Sequence, residues 1–311
     1  MSRAKSSPPS GIPTQNIIWV AIGWAALALM FYLFLSAPTD GPHIIKPEEC
    51  KKIVENLIVR PNWYRYGTYI FQTVAIACSG ILCLRNWRSP KIISGRNVWL
   101  GLGLGILSWG IGNLIFGYLD FQYQSGLIAG GAKGAKGLIE TFPSIADIFF
   151  TATYVFLSWG MAMSVVGRRL NLYSQQWAIV GAVGLVGLGL SAFVTFGVGG
   201  GFTLNIGKTL NIIYALGDIW LLIVATILLL AFWGGKAAQS WRLLGSAGIS
   251  MFLSDLWFNY SINTSDICKG KPYQSGEPAE FFWILAFILW GMAAALEFDL
   301  SSRATTRSRK S

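Results

Sequence analysis

Charge is scarce in this chain. Only 12% of its 311 residues are Asp, Glu, Lys or Arg, against about 25% in a soluble domain. That shortage excludes an ordinary soluble globular protein. With 53% apolar residues, a disordered chain is excluded too, and so is a nucleic-acid partner despite the net charge of +10. Histidine is scarcer still, since His43 stands alone. A bis-His haem in a membrane, chlorophyll ligation by His and an HExxH zinc site all fall with it. The apolar runs hold no Lys, which removes a retinal Schiff base, and no P-loop occurs. Neither a catalytic set nor a metal site is expected, and no cofactor is indicated.

Long apolar runs are abundant. A helix crossing a bilayer needs about 20 mostly apolar residues. Eight runs qualify: 16–36, 66–84, 98–119, 143–166, 177–196, 210–233, 243–260 and 279–298. They do not alternate as the strands of a membrane barrel would. The expected fold is all-α, a polytopic membrane protein of eight transmembrane helices whose first partner is the lipid bilayer. The 14 Trp, 11 Tyr and 36 Gly suit interfacial aromatic belts and close helix packing. The first run exceeds the roughly 7–15 apolar residues of a signal-peptide core, so a retained anchor is expected. Residues 1–15 then form a basic arm, 16–298 the membrane domain, and 299–311 a basic tail.

Basic residues set the orientation. With the N-terminus inside, the inner segments carry Arg3, Lys5, Arg85, Arg88, Lys91, Arg96, Arg168, Arg169, Lys236, Arg242 and the tail basics, against Glu297 and Asp299. The outer loops are 37–65, 120–142, 197–209 and 261–278, where acids nearly balance bases. Both termini are expected in the cytoplasm, in a bacterial inner membrane or a thylakoid. No Lys or Arg is expected within any span. The basic tail suits anionic lipid.

The chain repeats itself. At an offset of 142, Trp99, Leu102, Gly103, Ser108, Leu114, Phe116 and Tyr118 meet Trp241, Leu244, Gly245, Ser250, Leu256, Phe258 and Tyr260, while Asn113 faces Asp255. Tyr123-Gln124-Ser125-Gly126 recurs as Tyr273-Gln274-Ser275-Gly276. Each copy then reaches a Pro and an acid, Pro143…Asp147 and Pro278…Glu280. Trp-Gly-Met-Ala follows at 159–162 and 290–293. Helices 3–4 (98–166) and 7–8 (240–298) read as a parallel repeat, with the Gly-rich 130–137 an insertion in the first. A match of spans 1–4 to 5–8 is weaker.

Ionisable residues within spans are costly and point to function. Asp147, Asp218, Asp255 and Glu280 all fall in the outer half of their spans. They can face one outward chamber with Asn113, Tyr118, Trp220, Trp257 and Tyr260, which together are the candidate ligand-binding residues. The plain alternatives are helix caps for Asp147 and Glu280 and interhelical hydrogen bonds for Asp218 and Asp255. Asp218 with Asp255 is formally an aspartyl pair, but a lone Gly217-Asp218 is all that supports catalysis. Cys50 and Cys268 share the outer side and are a candidate disulfide. Cys78 and Cys83 read as core packing, and the Gly clusters at 101–105 and 181–189 as helix contact.

Trp109…Asn113…Phe116…Tyr118, followed by Pro143-Ser144-Ile145-Ala146-Asp147…Tyr154, resembles the multi-helix (7TM-type) membrane input region of some cyanobacterial and actinobacterial sensor histidine kinases and cyclic-di-GMP signalling proteins. The resemblance covers roughly 65–298, with the second copy looser. It implies a sensor and no defined ligand. Only a short basic tail follows Asp299 here, without an output domain, so a sensor would act through a protein partner. The competing readings are a non-catalytic subunit or assembly factor of a larger membrane complex, and a small-solute or cation transporter.

Overall fold

The computed structural model describes residues 13–36, 43–45, 54–57, 59–128, 143–166, 170, 172–198, 205–233, 238–266, 269 and 271–308. Among the described residues eight α-helices carry the fold: α1 (Thr14–Leu35), α2 (Asn62–Arg88), α3 (Arg96–Ile128), α4 (Ile145–Val166), α5 (Ser174–Ala192), α6 (Ile206–Ala231), α7 (Gln239–Thr264) and α8 (Phe281–Ser308). A π-helical turn, Phe193–Val198, continues α5, and a short 3-10 turn, Pro278–Glu280, leads into α8. The sheet among the described residues is one small antiparallel ribbon, β1 (His43–Ile45) with β2 (Val54–Leu57). It lies in the segment expected as an outer loop.

Each expected run corresponds to one helix, but α2, α3 and α8 outgrow their runs. α3 reaches Ile128 and α8 reaches Ser308, so the basic tail begins as helix. At 1.5 Å per residue α3 is roughly 50 Å long, beyond the ~30 Å hydrocarbon core. Seven helices are long and apolar enough to cross a membrane; α7 is not one of them. Its sequence interleaves Ser, Asn and Asp with the apolar residues, and Ser240, Ser250, Ser254 and Asp255 are all buried. A helix surrounded by other helices does not need an apolar surface. The seven apolar helices fit a multi-pass membrane protein.

Packing arranges six helices in a ring. α3 lies between α2 and α4, and α7 between α6 and α8. The two triplets close on each other through α4 with α6 and α2 with α8. α1 rests on α8, and α5 on α6. Trp99, Leu102, Ile106, Leu157, Met161, Leu221, Leu244, Met251, Phe287 and Trp290 fill the ring's interior. Helix contact is closest between α3 and α4. A Cβ on Gly101 would lie 2.7 Å from the Gly160 Cα, and one on Gly160 2.8 Å from the Leu102 nitrogen. Only glycine permits this approach.

Several sequence matches occupy like positions. Ser108 of α3 donates to the Phe149 carbonyl of α4 at 2.8 Å, and Ser250 of α7 donates to the Phe282 carbonyl of α8 at 2.7 Å. Gly103 faces Cys83 and Leu84 of α2, while Gly245 faces Ala225 and Leu229 of α6. Other matches do not. Residues 123–126 are helical, whereas Tyr273–Gly276 lie in the non-helical segment before α8. Gly160 faces α3, whereas Gly291 faces Ser79 of α2.

One expectation is corrected. Cys83 is buried but Cys78 is exposed, so only Cys83 packs in the core. Arg65, one residue before the expected run 66–84, is the fourth residue of α2 and is 1% exposed. The candidate pair Cys50 and Cys268, and the Gly-rich 130–137, lie outside the described residues.

Candidate functional site

Helix direction puts the starts of α4, α6 and α8 and the ends of α3 and α7 at one end of the ring. A cavity of about 840 Å3 opens there, between these helices and α2. Asn113, Asp147, Asp218, Asp255 and Glu280 all line it, and each is buried to at least nine-tenths. Asp218 is twelve positions into α6, roughly 18 Å along its axis, so the cavity reaches about halfway down the helix.

Tyr118, Trp220, Trp257 and Tyr260 are not among the lining residues and are 40–64% exposed. The reason is helical phase. Tyr118 and Tyr260 follow Asn113 and Asp255 by five residues, and Trp220 and Trp257 follow their acids by two. At about 100° per residue these side chains leave on other faces. The aromatic wall comes instead from helical neighbours of the same polar residues. Trp109 and Phe116 flank Asn113 at i−4 and i+3. Phe150 and Tyr154 follow Asp147 at i+3 and i+7. Tyr214 precedes Asp218 by four, Phe258 follows Asp255 by three, and Trp283 follows Glu280 by three. That spacing was present in the sequence, and one helix-face test applied to each acid would have found them.

Asp218 and Asp255 meet at the cavity floor. The Tyr154 hydroxyl of α4 lies 2.7 Å from Asp218 Oδ1 and 3.0 Å from Asp255 Oδ2. The Trp283 indole N–H of α8 donates to Asp255 Oδ1 at 2.7 Å. Four helices therefore join at this pair. Gly217 makes room, because a Cβ there would run into the Tyr154 ring. Tyr154 has one proton and touches two carboxyls, so both contacts are favourable only if a further proton or a cation is present. Its hydroxyl bridges the two carboxyls.

Asp147 and Glu280 close two helix starts. Asp147 Oδ2 accepts from the Ser144 backbone N–H at 2.6 Å and the Ser144 hydroxyl at 3.1 Å, and Asp147 Oδ1 accepts from Tyr214 of α6 at 2.8 Å. Glu280 Oε1 accepts from the N–H groups of Gly276 and Glu277 and from the Tyr273 hydroxyl at 2.6 Å. Glu280 Oε2 is within 3.5 Å of the Gln72 amide of α2. Burial, then the charge of Glu280, push the Tyr273 phenol well above its ordinary value, so it stays a donor. Among these contacts every donor is neutral.

No family model, curated protein or solved structure matches this chain. The site therefore rests on its own geometry.

One more feature borders the cavity. Arg65 of α2 and Asp120 of α3 form a buried ion pair at 2.9 Å, with Arg65 4.2 Å over the Phe121 ring. Tyr69, which does line the cavity, contacts Asp120 at 3.3 Å and Ser275 at 2.9 Å. The pair thus ties the cavity wall to the segment that carries Tyr273. Sequence reading missed it because both residues fell just outside the apolar runs.

Finally, Asn113 stands apart from its neighbours. Its Nδ2 is buried and has no hydrogen-bond partner among the described residues. An unmade bond at a buried amide costs about 1–3 kcal/mol, and the residue lines the cavity.

Proposed function

We propose that this multi-pass protein is a membrane sensor or ligand-binding module. Its cavity faces the outer side, both termini lie in the cytoplasm, and the signal passes to a protein partner. The observation that carries the reading is convergence. Five polar residues on five helical segments line one cavity, and the Nδ2 of one of them, Asn113, has no hydrogen-bond partner among the described residues. The size suits a small organic ligand, since such sites span roughly 300–1,000 Å3. The resemblance to sensor input regions agrees in direction, with ligand outside and output inside.

The proposal includes a duplicated helix triplet, α2–α4 and α6–α8, supported by paired contacts. Asp147 binds Tyr214 and Glu280 meets Gln72, and the offset of 142 carries Gln72 onto Tyr214. In such a repeat the cavity lies where the copies meet. A transporter is the second reading, favoured by the depth of Asp218 in α6.

The test is ligand retention. Full-length protein is extracted from its native membrane in mild detergent, and bound small molecules are identified by mass spectrometry after denaturation. Wild type should release a compound in near-stoichiometric amount. Asp218→Asn and Asp255→Asn should remain monodisperse and release far less. Equal release from wild type and both variants would overturn the reading.

A further inference from the structure

The carboxyls lining the cavity share one property: none of them is part of an ion pair among the described residues. The described ion pairs are Arg65–Asp120, Lys269–Asp266 and Arg303–Asp299, and none of these residues lines the cavity. Lys208, the basic residue that does, sits in the first turn of α6 with its Nζ 5.7 Å from the Phe196 ring centroid. At the floor, Asp218 and Asp255 meet around a hydroxyl that has one proton to give. In a low-dielectric site such a pair calls for a proton or a bound cation, and an open cavity beside it gives a cation room.

The rest of the cavity says what kind of charge. No group of three or more His, Cys, Asp or Glu among the described residues is placed to hold a metal ion. Beside polar residues such as Asn205, Asn211, Asn259 and Asn263, the lining has a large aromatic share: Trp109, Phe116, Phe150, Phe258 and Trp283. Indole and phenyl faces stabilise an organic ammonium and cover an apolar body. A third observation is independent of the acids. Asn113 lines the cavity, is 7% exposed, and its amide Nδ2 has no acceptor among the described residues, which leaves a hydrogen bond for an occupant's oxygen to make.

We infer that the cavity binds a lipophilic organic amine, its ammonium group against Asp218 and Asp255, its apolar body between the aromatic walls, and an acceptor oxygen on the Asn113 amide. This rests on the ligand-binding reading above and narrows it to a chemical class.

Three probes of one shape test it: 2-phenoxyethylamine, which is cationic at neutral pH, 2-phenoxyethanol, which is neutral, and phenoxyacetate, which is anionic. Each is titrated into the full-length protein in detergent, with tryptophan fluorescence as the readout, since Trp109 and Trp283 line the cavity. The amine should saturate, and bind tighter than the alcohol by roughly tenfold or more. Phenoxyacetate should not saturate. The Asp218→Asn/Asp255→Asn double variant should lose the preference for the amine. Should that variant misfold, Asn113→Leu offers a separate check. It should still bind the amine, but no longer favour 2-phenoxyethylamine over 3-phenylpropylamine, in which a methylene replaces the ether oxygen. Alcohol or phenoxyacetate binding as tightly as the amine would overturn the cationic assignment and leave a binding cavity standing. No saturation by any of the three would overturn the assignment and count against the binding cavity as well.

Discussion

Asp120 illustrates how much one buried residue can hold. Its carboxylate takes the Arg65 guanidinium and the Tyr69 hydroxyl, and neither it nor Arg65 is more than 1% exposed. A surface pair of this kind would contribute little. A buried pair differs, because removing one partner strands the other charge, at about 3–5 kcal/mol. Asp120→Asn should therefore lower the melting temperature in detergent sharply. Replacing both partners with apolar residues, Arg65→Met with Asp120→Leu, should recover much of the loss. Thermal unfolding of the three variants checks this. A single variant as stable as wild type would mean that the pair contributes nothing. The effect should also reach the cavity, since Tyr69 links Asp120 to Ser275.

Single elements were legible in the sequence to different degrees. The eight helices announced themselves through run length and missing charge. Their ends did not, because α3 and α8 continue into polar sequence once they leave the apolar layer. For the same reason Arg65 and Asp120 were read as loop residues. α7 was legible as a helix but falls short of the apolarity of the other seven, since its neighbours cover it. Within the site, the acids and Asn113 could be found by their rarity in apolar sequence. The aromatic partners required helical phase as well, and counting along the chain selected Trp220 and Trp257, which point away. Some of the aligned residues make like contacts between helices, as Ser108 and Ser250 do. Residues 123–126 and 273–276 do not, since the same four letters adopt different backbones. The α3–α4 contact offers a direct test at this scale. Gly160→Leu would place a side chain against the Leu102 nitrogen and the Val98 carbonyl, which cannot yield as a side-chain tip can. The helices must separate or the chain must fail to pack, so expression and melting temperature should both fall. Gly181→Leu is the matched control, since nothing lies within 4 Å of a Cβ there. Equal behaviour of the two would refute the close packing.

At the scale of the molecule, eight helices in sequence must return the chain to the side on which it started, provided that all eight cross. α7 is the element on which this depends, because its composition alone would not send it through a bilayer. Its place in the ring, between α6 and α8 with Ser250 and Ser254 bonded to α8 and the turn before it, gives it a polar surface to bury in protein instead of lipid. If α7 crosses, the Arg and Lys residues beyond Asp299 lie on the same side as Arg3 and Lys5, as the positive-inside rule requires, and the cavity faces the other way. If α7 did not cross, α8 would run in the opposite sense and could not pair Ser250 with Phe282 as it does. The two arrangements make opposite predictions for Ser308. In a background with the native cysteines replaced, Ser308→Cys should resist a membrane-impermeant maleimide in intact cells and react after permeabilisation. Asn259→Cys, at the cavity, should react before permeabilisation. Labelling of Ser308→Cys from outside would reverse the orientation, and with it the side from which the cavity draws its ligand.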